Sequence, residues 1–376
     1  MPQTRKPSAP FVSFFFYYKP LGAQPQAPLR KTLFFLLHYD ILNAENVEGG
    51  GQSFLKKLFL IFAALLMAVM SQASAQELEP LPMDSTAIAP PPKDECFLSD
   101  WEYRDESITV KISEGDVKIP SAVYRKPVHY TCAYIKISHP SQLRAVPAAQ
   151  VDDPNAVFSA INTSGAKCAR IAQAANAVVG INGDYYSIAD TCQVVLRQGL
   201  QVRNKADGKR DVLIIDKNGD FDVIPNCTKQ DYIAYYDEHG EEMYQAFCFG
   251  PVLVRDGKSV MDENYRDGGI IAGNWTQRTA ICQIGNLEYM VITCDGDAQF
   301  YEFGMTVAEF ADLCESIGKT VTTQGFRLVY NLDGGNSASL VFKRRDANGE
   351  LKYQKLNMPE RERDLADMIC FVSLVK

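Results

Sequence analysis

The chain has 376 residues, 46% of them hydrophobic and 22% charged, a globular composition rather than a fibrous or disordered one. Its formal net charge is −8, and the basic cluster Lys343-Arg344-Arg345 is short and carries no aromatics. That balance argues against a nucleic-acid-binding protein.

In chain order, residues 1–52 come first, with an aromatic run at 11–18 and a glycine triplet at Gly49–Gly51. They precede a segment that reads as a secretory leader, so they are an over-extended start or an N-terminal extension. The leader spans 53–75: Lys56 and Lys57 form its basic end, Leu58 to Met70 its apolar run, and Ala73-Ser74-Ala75 its cleavage pattern. The apolar run is short for a membrane span. The mature chain is therefore expected to begin at Gln76, outside the cytoplasm, with no stable membrane span after cleavage. Residues 76–95 carry Ala-Pro-Pro-Pro and read as an extended proline-rich spacer rather than a packed element. About 280 residues remain, enough for one large domain, and we assign 96–376 to it.

Period-two alternation and turn chemistry dominate that domain. Strands are predicted at 107–112 and 128–137. Hairpins are predicted at 211–224 with an Asn218-Gly219 tip, at 249–260 around Asp256-Gly257, and at 278–294 around Gly285-Asn286. One helix is predicted over 164–176. A second starts from Thr306, with Glu309 completing a capping box, and stops at Gly318. The expected fold is α+β, with a mixed, largely antiparallel β-sheet built from hairpins and a few packed helices.

All ten cysteines follow the leader. Export permits disulfides, whereas Cys168, Cys282, Cys294, Cys314 and Cys370 lie in apolar stretches that suit free thiols. Both readings stay open. Neither a Cys-x-x-Cys pair nor a zinc-like Cys/His spacing occurs. The histidines beyond the leader, His129, His139 and His239, read as structural: His129 in a strand and His239 in a turn-like segment.

Carboxylates, arginine and backbone donors are the better chemical material. Asn182-Gly183-Asp184-Tyr185-Tyr186 ends an apolar strand; alone it is an ordinary strand exit. Gln277-Arg278-Thr279-Ala280 opens a hairpin with a planar cation, which alone is more often a surface arginine. Asp295 stands at the end of a strand before Gly296, as many turn residues do. Asn331-Leu332-Asp333-Gly334-Gly335-Asn336-Ser337 is richer. Successive glycines can aim consecutive N–H groups at an anionic oxygen, with Asp333 at the mouth. A glycine-rich hairpin is the plain alternative.

Taken in order, these segments, with Phe249-Gly250-Pro251 to Val254 and the helix after Thr306, resemble the phosphodiester glycosidase family from about residue 160 to the C-terminus. That family has a lysosomal member that releases N-acetylglucosamine from a phosphodiester, and relatives in bacteria. The resemblance implies an exported glycosidase hydrolysing the sugar–phosphate bond of glycosyl phosphodiesters, with a phosphorylated carbohydrate or glycan as partner. It implies Asp333 as principal carboxylate, Asp295 as second, and Arg278 as the phosphate-facing cation. Asn182, Gly183, Asp184, Thr279, Asn331, Gly334, Gly335, Asn336 and Ser337 would bind substrate. Two positions depart from the family pattern: Asp184 and Asn336 stand where glycines are usual. The sequence requires no cofactor; Asp184 is the candidate ligand should a divalent cation bind. The rival reading, suggested by the same departures, is a non-catalytic glycan- or phosphate-binding module.

Overall fold

The computed structural model describes residues 78–84, 87–119, 127–159, 164–185, 193–261, 273–296, 304–358 and 362–376. The N-terminal extension, the leader, Tyr186 and Cys192 lie outside them. Leu78–Lys376 form one compact unit. Among the described residues no helix is long and apolar enough to cross a membrane.

The first strands are β1 (Phe97–Ser99), β2 (Glu102–Arg104), β3 (Ile108–Val117), β4 (Val128–Ile137) and β5 (Leu143–Pro147). Helix α1 (Cys168–Ala174) precedes β6 (Ala177–Asn182), β7 (Val194–Arg197), β8 (Leu200–Asn204), β9 (Val212–Asp216) and β10 (Phe221–Ile224). Helix α2 (Lys229–His239) leads to β11 (Met243–Phe247), β12 (Val252–Arg255), β13 (Lys258–Ser259), β14 (Arg278–Gly285) and β15 (Glu288–Cys294). Helix α3 (Val307–Val321) is followed by β16 (Leu328–Leu332), β17 (Leu340–Arg345), β18 (Leu351–Lys355) and β19 (Asp367–Val372).

These strands build three antiparallel sheets. The largest runs β1-β2-β3-β4-β15-β14-β16-β12-β13; the others run β10-β9-β11-β7-β8 and β18-β17-β6-β19-β5. Side-chain alternation explains how they stack. Ile281, Val291 and Tyr330 of the large sheet enter one core shared with Val179, Ile181, Leu213, Phe247 and Phe371 of the small sheets. Their neighbours Cys282, Ile292 and Val329 point the other way, onto Phe310 and Cys314 of α3. The large sheet is thus buried on both faces, which is why its central strands carry so few polar residues.

The hairpins form where the sequence places them, with small shifts. A register irregularity between Gln283 and Gly285 carries β14 one residue further, and Leu287 takes the left-handed conformation at φ 53°. Helix α1 begins at Cys168, later than expected, because Ala166 pairs instead with Leu365 in a two-way backbone bridge. Helix α3 has the expected capping box between Thr306 and Glu309 but continues past Gly318 to Val321. Gly318 lets Phe326 pack closely, since a Cβ there would lie 2.9 Å from its ring. Helix α2 was not among the expected elements, so His239 ends a helix rather than a turn.

Residues 78–84, which turn at Met83–Asp84, and 87–92 lie outside helices and strands and are anchored on the domain: Leu81 N–H donates to Ser141 Oγ, Arg144 to the Pro82 carbonyl, and Asn176 to the Ala89 carbonyl. The nine described cysteines are all free thiols, eight of them buried.

Candidate active site

Register brings the site together. Thr279 on β14 faces Leu332 on β16, and Arg278 faces Cys294 on β15. Asp333, Arg278 and Asp295 therefore emerge at one end of three adjacent strands. Strand β6 of the neighbouring sheet ends at Asn182, paired with Met368 of β19. Two sheets converge on Asp333.

The loop after β16 is fastened from both sides. The Asp333 N–H donates to the Gly183 carbonyl at 3.3 Å, and Asn182 Nδ2 donates to the Asp333 carbonyl at 2.8 Å. The second Asn182 amide bond goes to the Gly183 carbonyl, and its Oδ1 accepts from Ser339 N–H. Its side chain thus holds backbone in place. On the other side Gly335 N–H donates to the Gln277 carbonyl at 2.9 Å. A Cβ on Gly334 would lie 2.5 Å from that same carbonyl oxygen, and Gly335 sits at φ 58°. One glycine permits close approach and the other the left-handed turn. The expected anion cup is altered accordingly: the Gly335 amide is committed to Gln277, and the Gly334 amide turns to the carboxylate of Asp333.

Asp333 is half-buried, and burial raises its carboxyl to about 6. The Ser337 hydroxyl, the Arg363 charge and the Gly334 amide pull the other way, and the charge of Asp184 pushes it up further.

Asp184 faces inward. Its Oδ1 accepts from Arg197 Nη2 at 2.7 Å and its Oδ2 from Cys248 N–H at 2.8 Å. Asp184 was expected to bind substrate, or a cation should one bind; both its carboxylate oxygens are engaged inside the protein, Oδ1 by Arg197 and Oδ2 by Cys248 N–H. Arg197 also bonds Asp367 through Nε at 3.1 Å, donates from Nη1 to the Leu196 and Ala246 carbonyls, and lies 4.1 Å over Phe247. Asp367 is raised by burial and lowered by Arg197. Arg197 and Asp367 were not among the expected site residues. Their signal is a charge at the end of an otherwise apolar strand, Val194-Val-Leu-Arg197 and Asp367-Met-Ile-Cys370.

Arg278 is only 4% exposed; its Nε donates to the Met305 carbonyl and its Nη2 to that of Asn274. Burial pushes its pKa down to about 10. Thr279 and Asn331 are fully buried, and Asn331 Nδ2 holds the Gly250 carbonyl at 2.7 Å. Asp295 lies one strand beyond Arg278, its N–H on the His129 carbonyl. Met358 Sδ ties this edge to the loop, 3.0 Å from Gly296 N and 3.1 Å from Gln277 Nε2. Ser337 is buried, and Asn336 accepts from Arg363 N–H at 3.1 Å. Among the described residues no group of three or more His, Cys, Asp or Glu is arranged to hold a metal ion.

Residues 175–372 match the model of the phosphodiester glycosidase family. Comparison with curated proteins gives no match. Among solved structures, the auto-inhibited catalytic domain of zebrafish N-acetylglucosamine-1-phosphodiester alpha-N-acetylglucosaminidase aligns with a TM-score of 0.50 at 16% identity, covering 80% of this chain and 99% of that one. That likeness concerns the fold. A hypothetical protein from Synechocystis aligns at 0.39 and 14% identity over 70% of this chain and 62% of its own. A protein of Burkholderia pseudomallei described as exported aligns at 0.39 and 11%, over 66% and 75%.

Proposed function

The chain belongs to the phosphodiester glycosidase family, a family of hydrolases, and from that premise we propose that it is an exported enzyme cleaving the sugar–phosphate bond of glycosyl phosphodiesters in glycans. The observation that carries the proposal is Asp333: a half-buried carboxylate on a double-glycine loop, fastened where two sheets converge.

The chemistry fits such a group. Breaking the bond between C1 and the phosphate oxygen develops positive charge on the sugar and extra negative charge on the departing phosphate. A phosphomonoester has a second pKa of about 6, so it leaves with little proton donation. What the site must supply is a negative group near C1 and a positive field at the phosphate. Ionised Asp333 supports the oxocarbenium character of C1 or orients the attacking water, with Asp295 as second carboxylate. Arg278, still cationic at neutral pH, lends positive potential from beneath the loop. Export rests on the leader at 53–75 and the mature start at Gln76.

The rival, a binding module, drew its support from Asp184 and Asn336 standing where glycines are usual. Asp184 is turned onto Arg197, which removes the Asp184 half of that support.

The test incubates the chain from Gln76 with a panel of sugar-1-phosphodiesters and measures release of free sugar. Release by the wild type, lost in Asp333→Asn, is the expected result. Binding without release across the panel would overturn the proposal.

A further inference from the structure

Arg278 turns its Nε and Nη2 to the carbonyls of Met305 and Asn274 and its side chain is buried, so that edge of its guanidinium is not offered to a phosphate. A glycosyl phosphodiester keeps a negative charge throughout the reaction, and a site built on carboxylates repels it unless a cation stands within reach. The molecule has another arginine at the same loop.

Arg363 is exposed, and its backbone N–H donates to the Asn336 carbonyl at 3.1 Å, so it is tied to the segment that carries Asp333. Its charge acts on the Asp333 carboxylate. Its guanidinium lies 5.5 Å from the ring centroid of Tyr185. Tyr185 is itself unusual. It is 39% exposed and adopts φ 63°, a left-handed conformation that a bulky residue avoids. The preceding residue, Asp184, is pinned by Arg197, so the buried ion pair holds the strained backbone and presents the ring outward. Strain kept at the rim of a site, with an aromatic exposed by it, marks a recognition element.

We infer that Arg363 and Tyr185 form the substrate-recognition edge of the site, the guanidinium binding the anionic phosphate and the tyrosine ring receiving the apolar face of the attached sugar. The inference rests on the proposed phosphodiester substrate and assigns its two halves to two side chains. A planar guanidinium suits two phosphate oxygens at once, and the cation–π contact with Tyr185 keeps it beside the ring. A sugar presents C–H groups on one face, which pack on an aromatic ring as other apolar surfaces do.

The experiment measures binding by calorimetry of three sugar 1-phosphates (glucose, N-acetylglucosamine, mannose) and the matching free sugars to the chain from Gln76. It compares wild type, Arg363→Ala, Arg363→Lys, Tyr185→Ala and Tyr185→Phe. Arg363→Ala should weaken the best sugar phosphate by about 10- to 100-fold and leave the free sugar unchanged, the loss expected for charge-assisted hydrogen bonds. Arg363→Lys should fall between, since the charge stays and the fork is lost. Tyr185→Ala should weaken phosphate and free sugar by the same factor, and Tyr185→Phe should match wild type. Unchanged phosphate binding in Arg363→Ala, equal loss of both ligands, or a wild type that binds none of the three phosphates overturns the inference. Phosphate binding that follows this pattern without hydrolysis of any diester leaves the inference standing and defeats the proposed activity. Hydrolysis indifferent to Arg363 does the reverse.

Discussion

Arg197 and Asp184 form an ion pair of 2.7 Å in which neither side chain reaches solvent. Taking two charges out of water costs several kcal/mol, so such a pair survives only when every hydrogen finds an acceptor. Here the guanidinium is fully used, on Asp184, Asp367 and the carbonyls of Leu196 and Ala246. Removing it strands two buried carboxylates. Arg197→Met should destabilise the protein by about 3–5 kcal/mol at neutral pH, with part of the loss recovered near pH 5 as Asp367, already raised by burial, takes up a proton. Denaturant unfolding at the two pH values checks this. A loss under about 1 kcal/mol would mean the pair is not buried as described.

Gly183 offers a second measure of the same network. A Cβ built on it would lie 2.2 Å from Asp367 Oδ1, which Arg197 prevents from swinging aside. Gly183→Ala should therefore cost about 1–3 kcal/mol. Gly285→Ala is the comparison, because nothing lies within 4 Å of its Cβ position; it should stay within about 0.5 kcal/mol. Thermal melting of the two variants decides the matter, and equal midpoints would refute it.

What could be read in the sequence follows from how local each cause is. Alternation such as Ile281/Cys282 and Val291/Ile292 is set by burial on two faces, so the strands are legible from the order of residues alone. The capping box at Thr306 and Glu309 is equally local. Helix α2 buries only Tyr232 among its residues and so has no apolar stripe to find. Its own capping box, Thr228 with Asp231, was the available signal. Gly318 shows the opposite failure: a stop signal overruled because the glycine is needed for packing on Phe326. In the site, Asp333 and its glycines stand out as a motif, whereas Asp184, Arg197 and Asp367 meet across sequence separations of 13 and 170 residues. Nothing local announces that a carboxylate in place of a glycine will be neutralised from so far away.

Asn182 illustrates the difference between touching substrate and placing what does. Both its amide hydrogens go to backbone carbonyls, those of Gly183 and Asp333. Asn182→Asp keeps the shape, removes both donors and sets acceptor against acceptor. A displacement of roughly 1 Å at a reacting group can cost about 100-fold, so kcat should fall by about 10- to 100-fold with KM little changed. Steady-state kinetics on the best diester of the panel reads the split. A rise in KM alone would instead make Asn182 a direct substrate ligand.

The carboxyl of Asp333 should tie stability and activity to pH in opposite directions. Its folded-state pKa is raised to about 6 from the ordinary aspartate value of 3.8, so the folded protein holds this proton more tightly than the unfolded chain. Between about pH 4 and 6 the native state therefore binds more protons, and stability contributed by this group falls as pH rises through that window. The surrounding charges set the size of the effect: Arg363 opposes it, Asp184 adds to it, and Asp367, itself raised, contributes a parallel dependence. Solvent-accessible carboxylates with lowered values, such as Asp231 and Asp346, act in the other sense, so the informative quantity is the difference between wild type and Asp333→Asn. Asp333→Asn should be the more stable protein at pH 7, and the gap should close as pH falls toward 4. Activity requires the ionised form and should drop below about pH 6 in the kcat/KM profile of the wild type. Melting curves for the two proteins that keep the same separation from pH 4 to 8 would show that the carboxyl of Asp333 is not held out of water, and with that the principal reason for placing it at C1 would go.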